Sequence, residues 1–307
     1  MKKLALLFGA LSLVSSVAYA KEVVPAVEEV VVVEEVAPVA VAPALTVTHV
    51  GQYIEVDNTS SGENIGEAIH FAQVVGLAYD DWSFDLMARK AWSMDTDTGV
   101  HGAGHRIDLD VWKNYENFSV GARWRQEEDF DRMMGRVKYN YGMFSGWADV
   151  GYQFNNKDAA DAFWSEAMPV AVTVGPVTVG YYYEYFDFNG TASQPTELED
   201  NTKVYDQTKD FVQQVRVMFP LYNGEKLSLG AEYRYQFAQD KEFEHKQEWQ
   251  EKTRHIGIVS ANYAVTDAFS LNGYYEYDWN KYEGHDGAKD DKDNYYGEFG
   301  LGWNYAF

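Results

Sequence analysis

The sequence predicts an all-β protein, a closed antiparallel transmembrane β-barrel of fourteen strands. Three observations carry that expectation. From Leu45 onward the chain has no apolar run of the length a spanning helix needs, yet it repeats segments of about ten residues in which apolar and polar side chains alternate. Aromatic residues make up 16% of the chain, with 23 Tyr and 9 Trp, while the hydrophobic fraction is 46% and the mean hydropathy is -0.42. Many aromatics with a polar average suit a sheet that has one lipid-facing and one wet face. Finally, long polar connections alternate with tight turns along the chain.

The first 44 residues stand apart. Lys2 and Lys3, the apolar run Leu4 to Val14 and the triplet Ala18-Tyr19-Ala20 form a secretory signal peptide over 1–20, with cleavage expected after Ala20. The apolar run is too short to span a bilayer as a helix. Residues 21–44 are nearly all Val, Ala, Glu and Pro and hold three of the seven prolines, Pro25, Pro38 and Pro43. They read as a flexible, partly extended periplasmic tail. The barrel is expected over 45–307.

The first two strands are expected near 45–56 and 66–79. In the third, Trp82, Phe84, Leu86 and Trp92 alternate with Ser83, Asp85 and Arg89; the fourth lies near 105–113. In the fifth, Phe118, Val120, Ala122 and Trp124 oppose Ser119, Arg123 and Arg125; the sixth lies near 132–141. Phe144 to Phe154 make the seventh, residues 163–174 the eighth, Val177 to Tyr185 the ninth and residues 210–219 the tenth. Leu227 to Phe237 alternate clearly as the eleventh, and 253–264 form the twelfth. Phe269, Leu271, Tyr275, Tyr277 and Trp279 mark the thirteenth. In the fourteenth, Phe299, Leu301, Trp303, Tyr305 and Phe307 share one face. An even count returns both ends of the chain to the same side of the membrane.

Tight turns are expected at Asp80-Asp81, Asn114 to Glu116, Gly142-Met143, Gly175-Pro176, Pro220 to Glu225 and Val265 to Ala268. The opposite ends carry connections near 57–65, 95–104, 126–131, 155–162, 189–209, 238–252 and 281–293. Long loops outside and short turns inside match an outer-membrane barrel. Glu67, Lys90, Glu166, Asp187 and Gln213 interrupt the lipid-facing register toward the long-loop end, where charge costs least. Gln73 falls in that register near mid-strand.

Fourteen strands about 4.8 Å apart, tilted about 40°, give a backbone diameter of roughly 28 Å. Inward side chains narrow the bore to about 10–15 Å, wide enough for an aqueous channel. The inward faces of the third to sixth strands carry Arg89, Arg106, Arg123, Arg125, Arg132, Arg136 and Lys138, with Asp85, Asp108 and Asp110 among them. The last two strands carry Glu276, Asp278 and Glu298 and no inward base. Glu184, Glu232 and Arg234 also fall on the lumen side. A basic wall facing an acidic wall creates a transverse field that orients dipolar solutes while ions of both signs pass. The same side chains equally suit internal ion pairs that stiffen the barrel.

Other classes of function fare worse. The 48 acidic and 25 basic residues give a formal charge of -23, which argues against nucleic acid as a partner. The absence of cysteine removes disulfides, thiolate metal sites and thiol nucleophiles. No cofactor, no metal and no enzymatic activity is expected. His101 and His105 have i, i+4 spacing, but the Gly-rich stretch HGAGH reads as a loop rather than the helix a zinc pair needs. Asp290, Asp291 and Asp293 read as a solvated surface.

The end of the chain resembles a known family. The stretch NYAVTDAFSLNGYYEYDW, an acidic loop and DNYYGEFGLGWNYAF are similar to the last strands of OmpG-type porins. The leader and the tail beginning Lys21-Glu22-Val23 resemble those of FomA-type porins of fusobacteria. The resemblance implies a channel for ions and small hydrophilic solutes, integral to the outer membrane of a Gram-negative cell in contact with lipid and lipopolysaccharide. The alternate aromatics ending in Phe307 resemble the signal by which the barrel assembly machinery recognises a last strand. OmpG-type porins close at acid pH through a histidine pair, but here Glu251 and Tyr282 fall near those places, so the resemblance does not extend to that gate. The competing expectation is a surface adhesin anchored by its barrel; the longest loop, 189–209, is modest for that role.

Overall fold

The computed structural model describes residues 43–59, 68–95, 99–156, 160–190, 196–197, 204–205, 207–243, 249–284 and 293–307. The signal peptide 1–20, residues 21–42 of the tail 21–44, and Glu67 lie outside the described residues. Each alternating segment forms a strand: β1 (Thr46–Thr59), β2 (Ala68–Tyr79), β3 (Trp82–Asp95), β4 (Gly99–Asn114), β5 (Phe118–Glu127), β6 (Phe130–Tyr141) and β7 (Phe144–Asn155). The second half contains β8 (Ala162–Val174), β9 (Val177–Phe188), β10 (Gln207–Asn223), β11 (Leu227–Phe243), β12 (Trp249–Ala264), β13 (Phe269–Gly284) and β14 (Asp293–Ala306). Thr196–Glu197 also pairs with Val204–Tyr205 in the connection after β9.

Every strand pairs antiparallel with its neighbours in sequence, and β14 returns to β1 from His49↔Ala306 to Thr59↔Tyr296. The Phe307 amide adds a hydrogen bond to the Thr48 carbonyl at 3.0 Å. Closure leaves no strand edge, the condition for a sheet to persist in hydrocarbon.

The outer and inner faces invert the usual polarity. Leu301 and Tyr275 on the outside are 56% and 52% exposed, while Asp110 and Asp278 on the inside are 0% exposed. An apolar outer surface of this extent is stable only against lipid. Aromatic side chains pack along it: His255 stacks between Tyr235 at 5.0 Å and Trp279 at 5.2 Å, and Phe211 meets Tyr183 and Tyr185. Gln73 acquires a setting on this face. It lies opposite Gln52, whose amide oxygen accepts the Trp303 indole N–H at 3.2 Å.

The turns follow expectation where chemistry is local. Gly142 (φ 63°) and Gly175 (φ 59°) supply the left-handed backbone of two-residue hairpins, and Asp80 takes φ 53° in a third. Several expected loops are instead strand. β3 runs to Asp95 and β4 begins at Gly99, which absorbs most of 95–104. β11 and β12 likewise take up much of 238–252, and β10 runs through Pro220 to Asn223. About 9–11 tilted residues cross a bilayer, so the 16 or 17 residues of these strands carry the sheet beyond the membrane.

Bulges correct two further expectations, because each extra residue reverses the alternation beyond it. In β8 the register jumps between Ala167 and Val170, at Pro169. Val170, Val172 and Val174 therefore face out, but Glu166 points inward, where it accepts the Tyr182 hydroxyl at 2.8 Å. Its expected lipid-facing position is overturned. In β4 a bulge at Ala103 separates His101 from His105. Both are on a strand rather than in a loop, and they fall on opposite faces.

Candidate functional site: the charged lining of the lumen

Every inward strand face contributes polar side chains, and the ladder register determines which ones meet. On β4 and β5, Asp110 faces Arg123 and Asp108 faces Arg125; on β6 and β7, Arg136 faces Asp149 and Arg132 faces Gln153. Each pairing becomes a contact. Arg123 binds Asp110 through Nε and Nη2 at 2.7–2.9 Å. Arg125 binds Asp108 at 3.0 Å, and Arg106 binds the same carboxylate at 2.5 Å. Arg136 joins Asp149 at 2.9 Å and reaches back across β5 to Asp110. Two aspartates thus each bridge two arginines. Arg89 lies 3.6 Å from Glu55.

Arg132 and Lys138 differ from the other bases. Among the described residues neither has a carboxylate within salt-bridge distance. Arg132 binds the Gln153 amide oxygen at 3.0 Å and lies 4.1 Å from the Trp164 ring centroid, and the Lys138 amine sits 4.4 Å from the Trp112 centroid. These aromatic faces stabilise the cations. Gly121 is small for a specific reason: a Cβ there would lie 2.4 Å from the Val111 carbonyl oxygen and 2.7 Å from the Trp112 ring.

All seven bases of the expected basic wall point inward. The aspartates lie beneath them: side-chain exposure is 1% for Asp108 against 19% for Arg106 and 15% for Arg125. Asp108 and Asp110 are thus covered by guanidinium groups, while Glu127, 3.8 Å from Arg106, stays 25% exposed on the same arc.

The expected acidic wall is more nearly neutral than the sequence suggested. Glu276, Asp278 and Glu298 do point inward, but β11 and β12 bring Arg234 and Arg254 beside the first two. Arg234 reaches Glu276 at 3.6 Å and Glu232 at 2.6 Å, and Arg254 pairs with Asp278. The Tyr274 hydroxyl lies within hydrogen-bond distance of both Glu298 and Glu55, and its one proton is shared between them. Arg216 and Arg254 were missed because β10 and β12 alternate less cleanly; Ile256 and Ile258 face inward, where polar side chains are the rule. The spacing Gln214, Arg216, Met218 was the available signal. Glu184 faces inward and accepts the Trp164 indole N–H at 3.0 Å.

One set of metal-type ligands gathers among the described residues. Donor atoms of Glu55, Asp57 and His70 lie within 4.8 Å of one another. His70 is 3.3 Å from Asp57, while Arg89 and Tyr274 engage Glu55. These contacts describe a hydrogen-bonded ion-pair network. Glu251 and Tyr282 lie on paired strands, with Lys252 opposite Tyr282, but their side chains fall outside the described residues.

A closed antiparallel barrel that is apolar outside and charged inside is the fold of a transmembrane β-barrel. No family model and no curated protein matches the chain. Solved structures do. A bacterial polysaccharide outer membrane secretin aligns at TM-score 0.50 and 11% identity over 84% of this chain and 98% of the other. The CymD monoaromatic hydrocarbon channel aligns at 0.47 and 9%, over 87% and 89% of the two chains. OmpT, an outer membrane protein of Vibrio cholerae, aligns at 0.44 and 14%, over 88% and 100%. At these identities the likeness is one of fold.

Proposed function

We propose that the chain is a porin: a water-filled channel for passive diffusion of ions and small hydrophilic solutes across an outer membrane. The supporting observation is where the inward side chains lie. The ion pairs described above join residues on the same strand or on strands no more than two positions apart, so the lining stays against the wall instead of bridging the bore. A lumen about 10–15 Å wide then remains for solute. The test is conductance in a planar bilayer. Discrete ohmic steps are expected; a silent, correctly folded barrel would overturn the reading and favour the anchored adhesin.

Selectivity gives a sharper test. Arg132→Gln with Lys138→Gln removes two cations that have no carboxylate partner, so no acid is stranded. The reversal potential across a salt gradient should move toward cation preference. Glu276→Gln with Glu298→Gln should move it toward anion preference, since Arg234 is then released from Glu276. Both shifts should shrink at molar salt, where the Debye length falls to about 3 Å. Unchanged potentials in both variants would remove these residues from the conduction path.

A further inference from the structure

A cavity of about 350 Å³ opens in the lumen wall between β9 and β13. That volume lies at the lower end of the range for small-molecule sites. Its charged lining includes Arg254, level with Gln236 and paired with Asp278, and Glu276, which is held by Arg234 at 3.6 Å; the remaining charges separate along the strands. At one end Arg216 and Arg234 stand directly opposite each other on β10 and β11. Toward the outer end Glu184 lines the cavity and stands directly opposite Glu166 on β8; Asp210 on β10 lies beyond them with Lys241 at 3.9 Å. Like charges in direct register repel.

The usual compensation is incomplete at both ends. Arg234 is held by Glu232 and Glu276, but Arg216 has no carboxylate within salt-bridge distance among the described residues. Its Nε donates to Gln214, and its guanidinium carbon lies 3.4 Å from the Tyr182 ring centroid, which leaves the Nη groups for a ligand. Glu166 and Glu184 accept one neutral donor each, from Tyr182 and Trp164, and no base reaches either within that distance among the described residues.

Between the ends runs a ladder of amides. Gln214 donates to Gln236 at 3.3 Å, Gln236 to Gln239 at 3.4 Å, and Gln239 to Asp210 at 2.9 Å. Gln239 reaches both oxygens of Asp210, at 3.0 and 2.9 Å, so the three amides form a continuous polar row along the recess. Val212 and Ile256 add apolar surface.

We propose that this recess binds amphoteric solutes of the short-peptide class. The solute carboxylate sits at Arg216 and Arg234, its ammonium group sits at Glu184, and its peptide groups lie along the glutamines. Glu184 is in register with Val212, four residues from Arg216. At about 3.4 Å per residue the two levels are roughly 14 Å apart. The side chains reach inward from both levels, and an extended tripeptide spans on the order of 10 Å. A ligand with opposite charges at its ends relieves both like-charge pairs at once, whereas a simple anion or cation relieves one and aggravates the other.

This proposal rests on the channel reading, and one comparison separates the two. The full-length protein is folded in detergent and titrated calorimetrically with tri-alanine and with the same peptide acetylated and amidated, then both peptides are added to single channels. Tri-alanine should bind and should block current transiently; the capped peptide should do neither. Glu184→Gln and Arg216→Gln should each weaken tri-alanine binding about tenfold, the worth of one charge-assisted contact. Heat-modifiable gel mobility checks that each variant is folded, and the wild-type comparison of the two peptides needs no variant. A conducting barrel that treats both peptides alike overturns the proposal, as does tighter binding of glucuronate than of tri-alanine. A barrel that binds tri-alanine but passes no current defeats the channel reading and leaves the recess in place.

Discussion

Asp110→Asn should destabilise the folded barrel by about 3–5 kcal/mol, the cost of stranding one member of a buried ion pair. Asp110 is 0% exposed and holds Arg123 and Arg136 together. Arg136 retains Asp149, so the loss falls mainly on Arg123, which is 9% exposed and binds no other carboxylate among the described residues. Leaving its guanidinium in the wall without a counter-charge outweighs the hydrogen bond that Asn can still accept. The double variant Asp110→Asn, Arg123→Gln should recover more than half of the loss, because it also removes the buried guanidinium charge that the single variant leaves without a counter-charge. Urea unfolding in micelles, followed by tryptophan fluorescence, measures both. A loss below about 1 kcal/mol for the single variant would mean that the pair behaves as a solvated surface bridge.

The second large effect concerns closure. Phe307→Asp should lower the folded protein in the outer membrane of cells by about an order of magnitude, since a last strand that is not recognised during assembly is not delivered to close against β1, and an open edge does not persist in lipid. The same variant, refolded from urea into micelles, should regain nearly normal yield. Phe307 is 74% exposed at the membrane edge, packs against Tyr305 at 5.0 Å and joins β1 through its backbone amide. A carboxylate at that level costs little thermodynamically. A large deficit in cells with a small one in micelles locates the effect in recognition of the last strand by the assembly machinery. Equal yields in both settings would show that the terminal aromatic is dispensable.

The lining shows how far alternation can be read. The two-residue spacing puts Arg123, Arg125, Arg136 and Lys138 on one face of the sheet, the face on which Arg123, Arg125 and Arg136 meet Asp108, Asp110 and Asp149. Their partners were only partly visible. Asp108 and Asp110 share a strand face, but nothing local indicates that each serves two arginines from different strands. Arg254 beside Asp278 was hidden for the same reason. Glu166 was assigned to lipid because its strand was read through Pro169 in one phase.

The sequence alone determined the number of barrel strands, the face of most residues and the positions of the two-residue turns at Asp80, Gly142 and Gly175. Those properties depend on neighbours one or two residues apart, on Gly at left-handed turns and on the contrast between lipid and water. Only the tertiary structure decided the bulges at Pro169 and Ala103, the pairing of each inward charge and the opposed Arg216 and Arg234 beside the recess. Register is set by a ladder between separate segments, and one inserted residue reverses every side chain beyond it, so no local pattern carries that information.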